Sequence, residues 1–83
     1  MITKSADPVA WGLLMYELED ASEHLASMLS SMESDPEFDE VNFRIELGHI
    51  YTHLNRAWHR RNRPQPIDEA QWIAGSQFPT DIF

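Results

Sequence analysis

An apolar repeat from Trp11 to Met32 constrains the fold of this 83-residue chain more than any other feature. Apolar residues recur there at alternating spacings of three and four: Trp11, Leu14, Leu18, Ala21, Leu25, Met28 and Met32. This is the period of an α-helix that packs lengthwise against another helix. A second repeat of the same kind follows, and its members are Phe43, Leu47, Ile50, Leu54 and Ala57. The sequence therefore predicts an all-α protein in which two amphipathic helices face each other.

Pairs of aspartate and proline indicate where each helix begins. Asp7 precedes Pro8, and Asp35 precedes Pro36. Each aspartate can cap a helix, and proline is well tolerated at the first helical position. The predicted elements are helix 1 at about 8–33, helix 2 at about 36–62 and a short third helix at about 67–74. Because the connection between the first two helices is short, we expect them to form an antiparallel hairpin.

The two apolar repeats also predict the alignment of the hairpin. Placing Met32 opposite Phe43 brings Met28 beside Leu47 and Leu18 beside Ala57. Two adjacent layers, Ala21 with Leu54 and Leu18 with Ala57, then place a small side chain against a large one, which fills space efficiently.

The whole chain is expected to be one helical domain. Residues 1–6 are interpreted as a flexible N-terminus, and residues 75–83 as an irregular tail that is rich in apolar side chains.

Composition excludes several classes of protein. The chain has no cysteine, so it has no disulfide, no thiolate metal site and no cysteine nucleophile. No apolar run approaches the roughly 18 residues of a membrane span, and the first residues lack the apolar stretch of a secretory signal, so a cytoplasmic location is expected. A net charge of −8 makes direct binding to nucleic acid or to an anionic membrane unlikely.

The sequence also lacks the local patterns of common enzymes. Its three glycines are isolated, so they cannot form a phosphate-binding loop. No serine lies in the strand-to-helix turn that presents a hydrolase nucleophile. We therefore expect a protein that is not an enzyme and that carries no cofactor.

One flank of the predicted hairpin is apolar. It carries Met15, Leu29, Tyr51 and Trp58, in addition to the residues of the two repeats. A hairpin has one internal interface, so these side chains remain uncovered unless the C-terminal residues or a second molecule pack on them. Two hairpins can bury such flanks against each other as a four-helix bundle. The prediction is a homodimer that associates through these four residues.

The other flank is polar and permits two interpretations. His24, Glu46, His49 and His53 lie on it, and the last two are one helical turn apart, as metal-binding histidines often are. Glu46-x-x-His49 has the spacing found in di-metal bundles, but such bundles need a second element of this kind, and helix 1 has Glu17-x-x-Asp20 with no histidine in that place. The favoured interpretation is a solvated edge with ion pairs such as Glu17 with Arg60. A metal site is kept as the alternative.

The end of helix 2 is basic. Six residues form a possible surface for an acidic partner: Arg56, Trp58, His59, Arg60, Arg61 and Arg63. The simpler explanation is that positive charge is favourable at the C-terminal end of a helix.

These observations favour a small non-catalytic module for protein interaction, acting as an adaptor, regulator or inhibitor, with itself and an unidentified protein as partners. The first alternative is a metal-binding helical bundle. The second is an acidic mimic of nucleic acid that occupies a basic site on another protein, which the acidic residues between positions 33 and 40 suggest.

Overall fold

The computed structural model describes residues 1–63 and 69–75. The elements in these ranges are α1 (Pro8–Ser34), α2 (Glu40–Arg60) and α3 (Glu69–Gly75). Helices α1 and α2 pack against each other, and no strand occurs in the described ranges, so the predicted all-α helical hairpin is confirmed. Residues 76–83, which hold nearly all of the predicted C-terminal tail, lie outside the described part of the chain.

Helix α2 begins four residues later than the sequence suggested. Asp39, rather than Asp35, is its N-cap, because the Asp39 side chain accepts from the backbone N–H of Asn42 and the Asn42 side chain accepts from that of Asp39. This reciprocal pair satisfies two N–H groups at the start of the helix. Asp35 instead ends α1, where its Oδ1 accepts from the backbone N–H of Glu37 at 2.9 Å.

The first residues of the chain pack against the end of α2. The side chain of Ile2 is buried, and its backbone N–H donates to the carbonyl of Arg61 at 2.6 Å. Ile2 joins an apolar cluster with Ala10, Leu14 and Ala57. Residues 1–6, which the sequence suggested would be flexible, are therefore attached to both helices.

The interface between α1 and α2 contains a second apolar cluster nearer the turn. Ala21, Met28 and Ile50 are buried in it, and Phe38 and Leu47 pack against them. Met28 and Leu47 therefore share a cluster, as the predicted alignment requires.

Part of the predicted interface is nevertheless exposed. Five members of the two repeats are 38–48 % exposed: Leu18, Leu25, Met32, Phe43 and Leu54. The residues that α1 turns toward α2 are Ala10, Leu14, Glu17, Ala21 and Met28. Alanines at two of these positions and at Ala57 let the helices approach closely, whereas a line of leucines would hold them apart. The helices are thus rotated so that Glu17 and three alanines lie inside beside Leu14, Met28 and Ile50, while the five residues named above stay partly exposed.

Candidate functional site

Glu17 is the centre of a polar cluster inside the hairpin. It is 8 % exposed, and its Oε2 lies 2.8 Å from Nδ1 of His53, where the carboxylate accepts the imidazole N–H. Nε of Arg60 lies 3.9 Å from Oε1, so an ion pair completes the set. The predicted pair of Glu17 and Arg60 is thus found, but between the helices rather than on a solvated edge.

His24 extends this cluster toward the turn. Its ring stacks on that of His53 with 5.3 Å between centroids, and it lies 5.2 Å from the ring of His49 in a tilted arrangement. Rings at this separation are in ordinary aromatic contact. The cluster therefore joins α1 to α2 through three imidazoles, one carboxylate and one guanidinium group.

The metal-binding alternative is not supported by this geometry. Across residues 1–63 and 69–75, no group of three or more His, Asp and Glu side chains is arranged to hold a metal ion. A nitrogen of His53 that a metal would use is instead bound to Glu17.

The basic residues at the end of α2 make contacts within the chain. The Arg56 guanidinium lies over the ring of Trp72, and that of Arg61 over the ring of Trp58, each at 3.6 Å from the centroid. Arg63 donates through Nε to a backbone carbonyl of α2 at 3.0 Å.

Several residues of the predicted basic patch are therefore engaged in contacts within the chain. Arg60 points into the hairpin toward Glu17, and Arg56, Trp58, His59, Arg61 and Arg63 are all half-buried. These side chains therefore pack around α2 as well as contributing to its surface. Cationic side chains that already stack on aromatic rings have less freedom to reorient toward a partner.

The most extended candidate site is a continuous apolar face on one side of the hairpin. The predicted self-association residues Met15, Leu29 and Tyr51 are exposed on it, and Trp58 is half-buried. The same side also carries the five exposed residues of the predicted interface: Leu18, Leu25, Met32, Phe43 and Leu54. The face is therefore larger than the sequence suggested.

A further repeat on α1 explains this face, and it could have been found in the sequence. On α1 it consists of Met15, Leu18, Ser22, Leu25, Leu29 and Met32, at the same alternating spacings of three and four. It lies beside the buried line of residues that faces α2, which includes Leu14, Ala21 and Met28. Helix α1 therefore carries two adjacent lines of contact residues, which we call its inner and outer seams. A helix with two seams is suited to a bundle in which it contacts two neighbours.

The face includes a cleft between the first half of α1 and the last turns of α2, close to the N-terminus of the chain. Its volume is about 360 Å³, and its lining is almost entirely apolar. The residues around it are Met1, Leu14, Leu18, Leu54, Ala57, Trp58 and Arg61. Such a hollow between two helices can receive a side chain from another helix, as holes do in knob-into-hole packing.

None of the helices in the described ranges combines the length and the apolarity that crossing a bilayer requires.

The geometry thus offers a polar cluster around the buried Glu17 that joins two helices, and an apolar face that suits contact with another helical surface. Comparisons of the chain with protein-family models, with curated proteins and with solved structures gave no match.

Proposed function

We propose that this chain is a small non-catalytic protein-interaction module, an adaptor, regulator or inhibitor, that acts as a homodimer. In the dimer two hairpins bury their apolar faces against each other and form a four-helix bundle. The observation that carries the proposal is the line of exposed apolar residues along α1, at Leu18, Leu25 and Met32.

The size of the face supports association rather than permanent exposure to water. Covering the exposed half of a large apolar side chain is worth about 1 kcal/mol. Each copy has eight such side chains on this face: Met15, Leu18, Leu25, Leu29, Met32, Phe43, Tyr51 and Leu54. Their combined contribution is comparable with the total stability of a small domain, about 5 kcal/mol at the low end. Contiguous apolar surface of this kind usually marks an interaction site.

The chain provides a matched pair of variants to test the dimer. Leu25 is 43 % exposed on the apolar face, whereas Ile45 is 56 % exposed on another side of α2. We expect the wild-type protein to be a dimer in light scattering at micromolar concentration. Leu25→Glu should convert it to a monomer, because two carboxylates would lose their hydration in the interface. Ile45→Glu should leave the dimer intact.

Two results would contradict the proposal. A wild-type protein that stays monomeric at high micromolar concentration would show that the face has another role. Equal dissociation by the two variants would show that added negative charge, rather than the position of Leu25, separates the copies.

A further inference from the structure

Contacts inside the hairpin determine which residues of α1 and α2 lie at the same position along the helix axes, which we call their level. Glu17 and His24 both contact His53, so the part of α1 midway between them is level with His53. The helices are antiparallel, so a step toward the end of α1 corresponds to a step toward the start of α2. Ser22 is therefore level with Tyr51.

The two helices differ strongly in charge. Helix α1 contains five acidic residues and no lysine or arginine, and the acids are Glu17, Glu19, Asp20, Glu23 and Glu33. Helix α2 contains two acids and three arginines: Glu40, Glu46, Arg44, Arg56 and Arg60. Placing α1 beside α1 of a second copy would bring two acidic helices together. Glu17 and Arg60 already pair inside the hairpin, so α1 offers four acids to a second copy, whereas the remaining acids and arginines of α2 balance each other. Placing α1 beside α2 of the second copy therefore avoids the repulsion between two acidic helices, which favours that arrangement.

Within the dimer that we have proposed, we infer that α1 of each copy packs antiparallel against α2 of the other copy. The inference rests on the proposed function and specifies its geometry. The two-fold axis then runs parallel to the helices. Rotation about such an axis does not change the level of a residue along the bundle. Each residue of α1 on the apolar face therefore meets the α2 residue of the second copy that lies at its own level.

The side chains that this arrangement brings together are complementary in size. Ser22, the smallest residue of the face, meets Tyr51 of the second copy, and a small residue opposite a large one fills the layer well. Leu18 meets Leu54 of the second copy in the layer nearer the cleft.

At both ends of the face, a methionine of one copy contacts an aromatic side chain of the other. Met15 meets Trp58 of the second copy, and Met32 meets Phe43. Methionine packs well against aromatic rings and adapts to irregular gaps such as the cleft beside Trp58.

Because the chain has no cysteine, disulfide cross-linking can test this arrangement directly. Ser22→Cys and Tyr51→Cys are made as separate variants with different tags, and each is purified alone and after coexpression with the other. We expect cross-linked dimer only in the coexpressed sample. The cross-linked fraction should approach about half of the protein, which is the share of mixed dimers under random pairing. A disulfide requires Cα atoms within about 7 Å, so diagonal helices cannot form one.

The control is Ser27→Cys coexpressed with Tyr51→Cys, because Ser27 lies on α1 outside the apolar face. This sample should give no cross-link. A dimer in which Ser22→Cys cross-links to itself would place α1 against α1 and overturn the arrangement, as would a dimer with no cross-link in the coexpressed sample. Both results leave the homodimer standing, whereas a monomer in light scattering would remove the proposed function and the arrangement together.

Discussion

A carboxylate placed between two helices loses most of its hydration, so it is stable there only with hydrogen-bond donors or cations around it. Glu17 has both, since the His53 imidazole lies 2.8 Å from one of its oxygens and the Arg60 guanidinium lies near the other. Such a pair contributes little net stability compared with apolar packing, but it penalises any alignment of the helices that separates its members. We therefore interpret Glu17 as a residue that selects the register of the hairpin.

Replacing Glu17 tests this interpretation. Glu17→Ala leaves His53 and Arg60 between the helices without their carboxylate, and we expect the free energy of unfolding to fall by about 2–3 kcal/mol. Urea denaturation at a fixed protein concentration measures the change. Glu19→Ala, an exposed position two residues away, should change stability by no more than about 0.5 kcal/mol. Similar losses in the two variants would show that Glu17 has no special role.

At the scale of the helix, the start of α2 shows what local patterns can and cannot predict. Proline after aspartate is a valid start signal, and it predicts α1 correctly, since Pro8 is its first residue. The same signal at Pro36 is wrong, because the Asp39 and Asn42 pair closes a capping box further along the chain. Two start signals within four residues compete, and the one that satisfies more backbone N–H groups determines where the helix begins.

The two capping aspartates should differ in their contribution to stability. Asp39→Ala removes an acceptor for the backbone N–H of Asn42, and we expect a loss of about 1 kcal/mol in the free energy of unfolding. The Asp7 side chain makes no capping hydrogen bond to α1, and its Oδ2 accepts from Thr3 instead. Asp7→Ala should therefore cost clearly less. Thermal melts of the two variants, followed by circular dichroism, would refute this if Asp7→Ala were the more destabilising change.

Sequence periodicity predicted only part of the surface of α1 that faces α2, since Leu14, Ala21 and Met28 are buried as expected. Two seams lie side by side on this helix, and hydrophobicity favours the one with leucines at Leu18 and Leu25. The structure also encloses Glu17, whose carboxylate finds its cation there, and it leaves Leu18 and Leu25 partly exposed. The residues predicted for self-association, Met15 and Leu29, are exposed on the outer seam, and Leu18 and Leu25 are exposed beside them.

At the scale of the whole molecule, stability and association should be coupled if the apolar face is buried between two copies. Unfolding would then separate the copies, so the melting temperature should increase with protein concentration. We expect an increase of about 3–5 °C for a tenfold rise in concentration, given the unfolding enthalpy of two chains of this size. Calorimetry over a range of concentrations measures it. In Leu25→Glu the melting temperature should be lower and independent of concentration, whereas the same independence in the wild-type protein would argue against the dimer.

The class of function that we propose is inferred by excluding chemistries from the sequence and by the apolar residues on the surface. The absence of cysteine and of phosphate-binding glycine patterns removes several chemistries, while the apolar flank indicates association. The identity of a further partner depends on the shape and charge of that partner, which helical periodicity does not encode. The arginines of α2 show the difficulty, because in sequence they look available and in the structure Arg56 and Arg61 stack on tryptophan rings.

The presence of two seams on one helix has a consequence for the lengths that α1 can have. Each inserted residue turns everything after it by about 100°, so a single insertion at mid-helix would displace both seams beyond it at once. A seven-residue insertion turns the following segment by only about 20° and keeps both seams in place. The short connection at residues 35–39, which lies outside both seams, has no such restriction. Related chains should therefore differ freely in the length of this connection, but in α1 only by whole heptads.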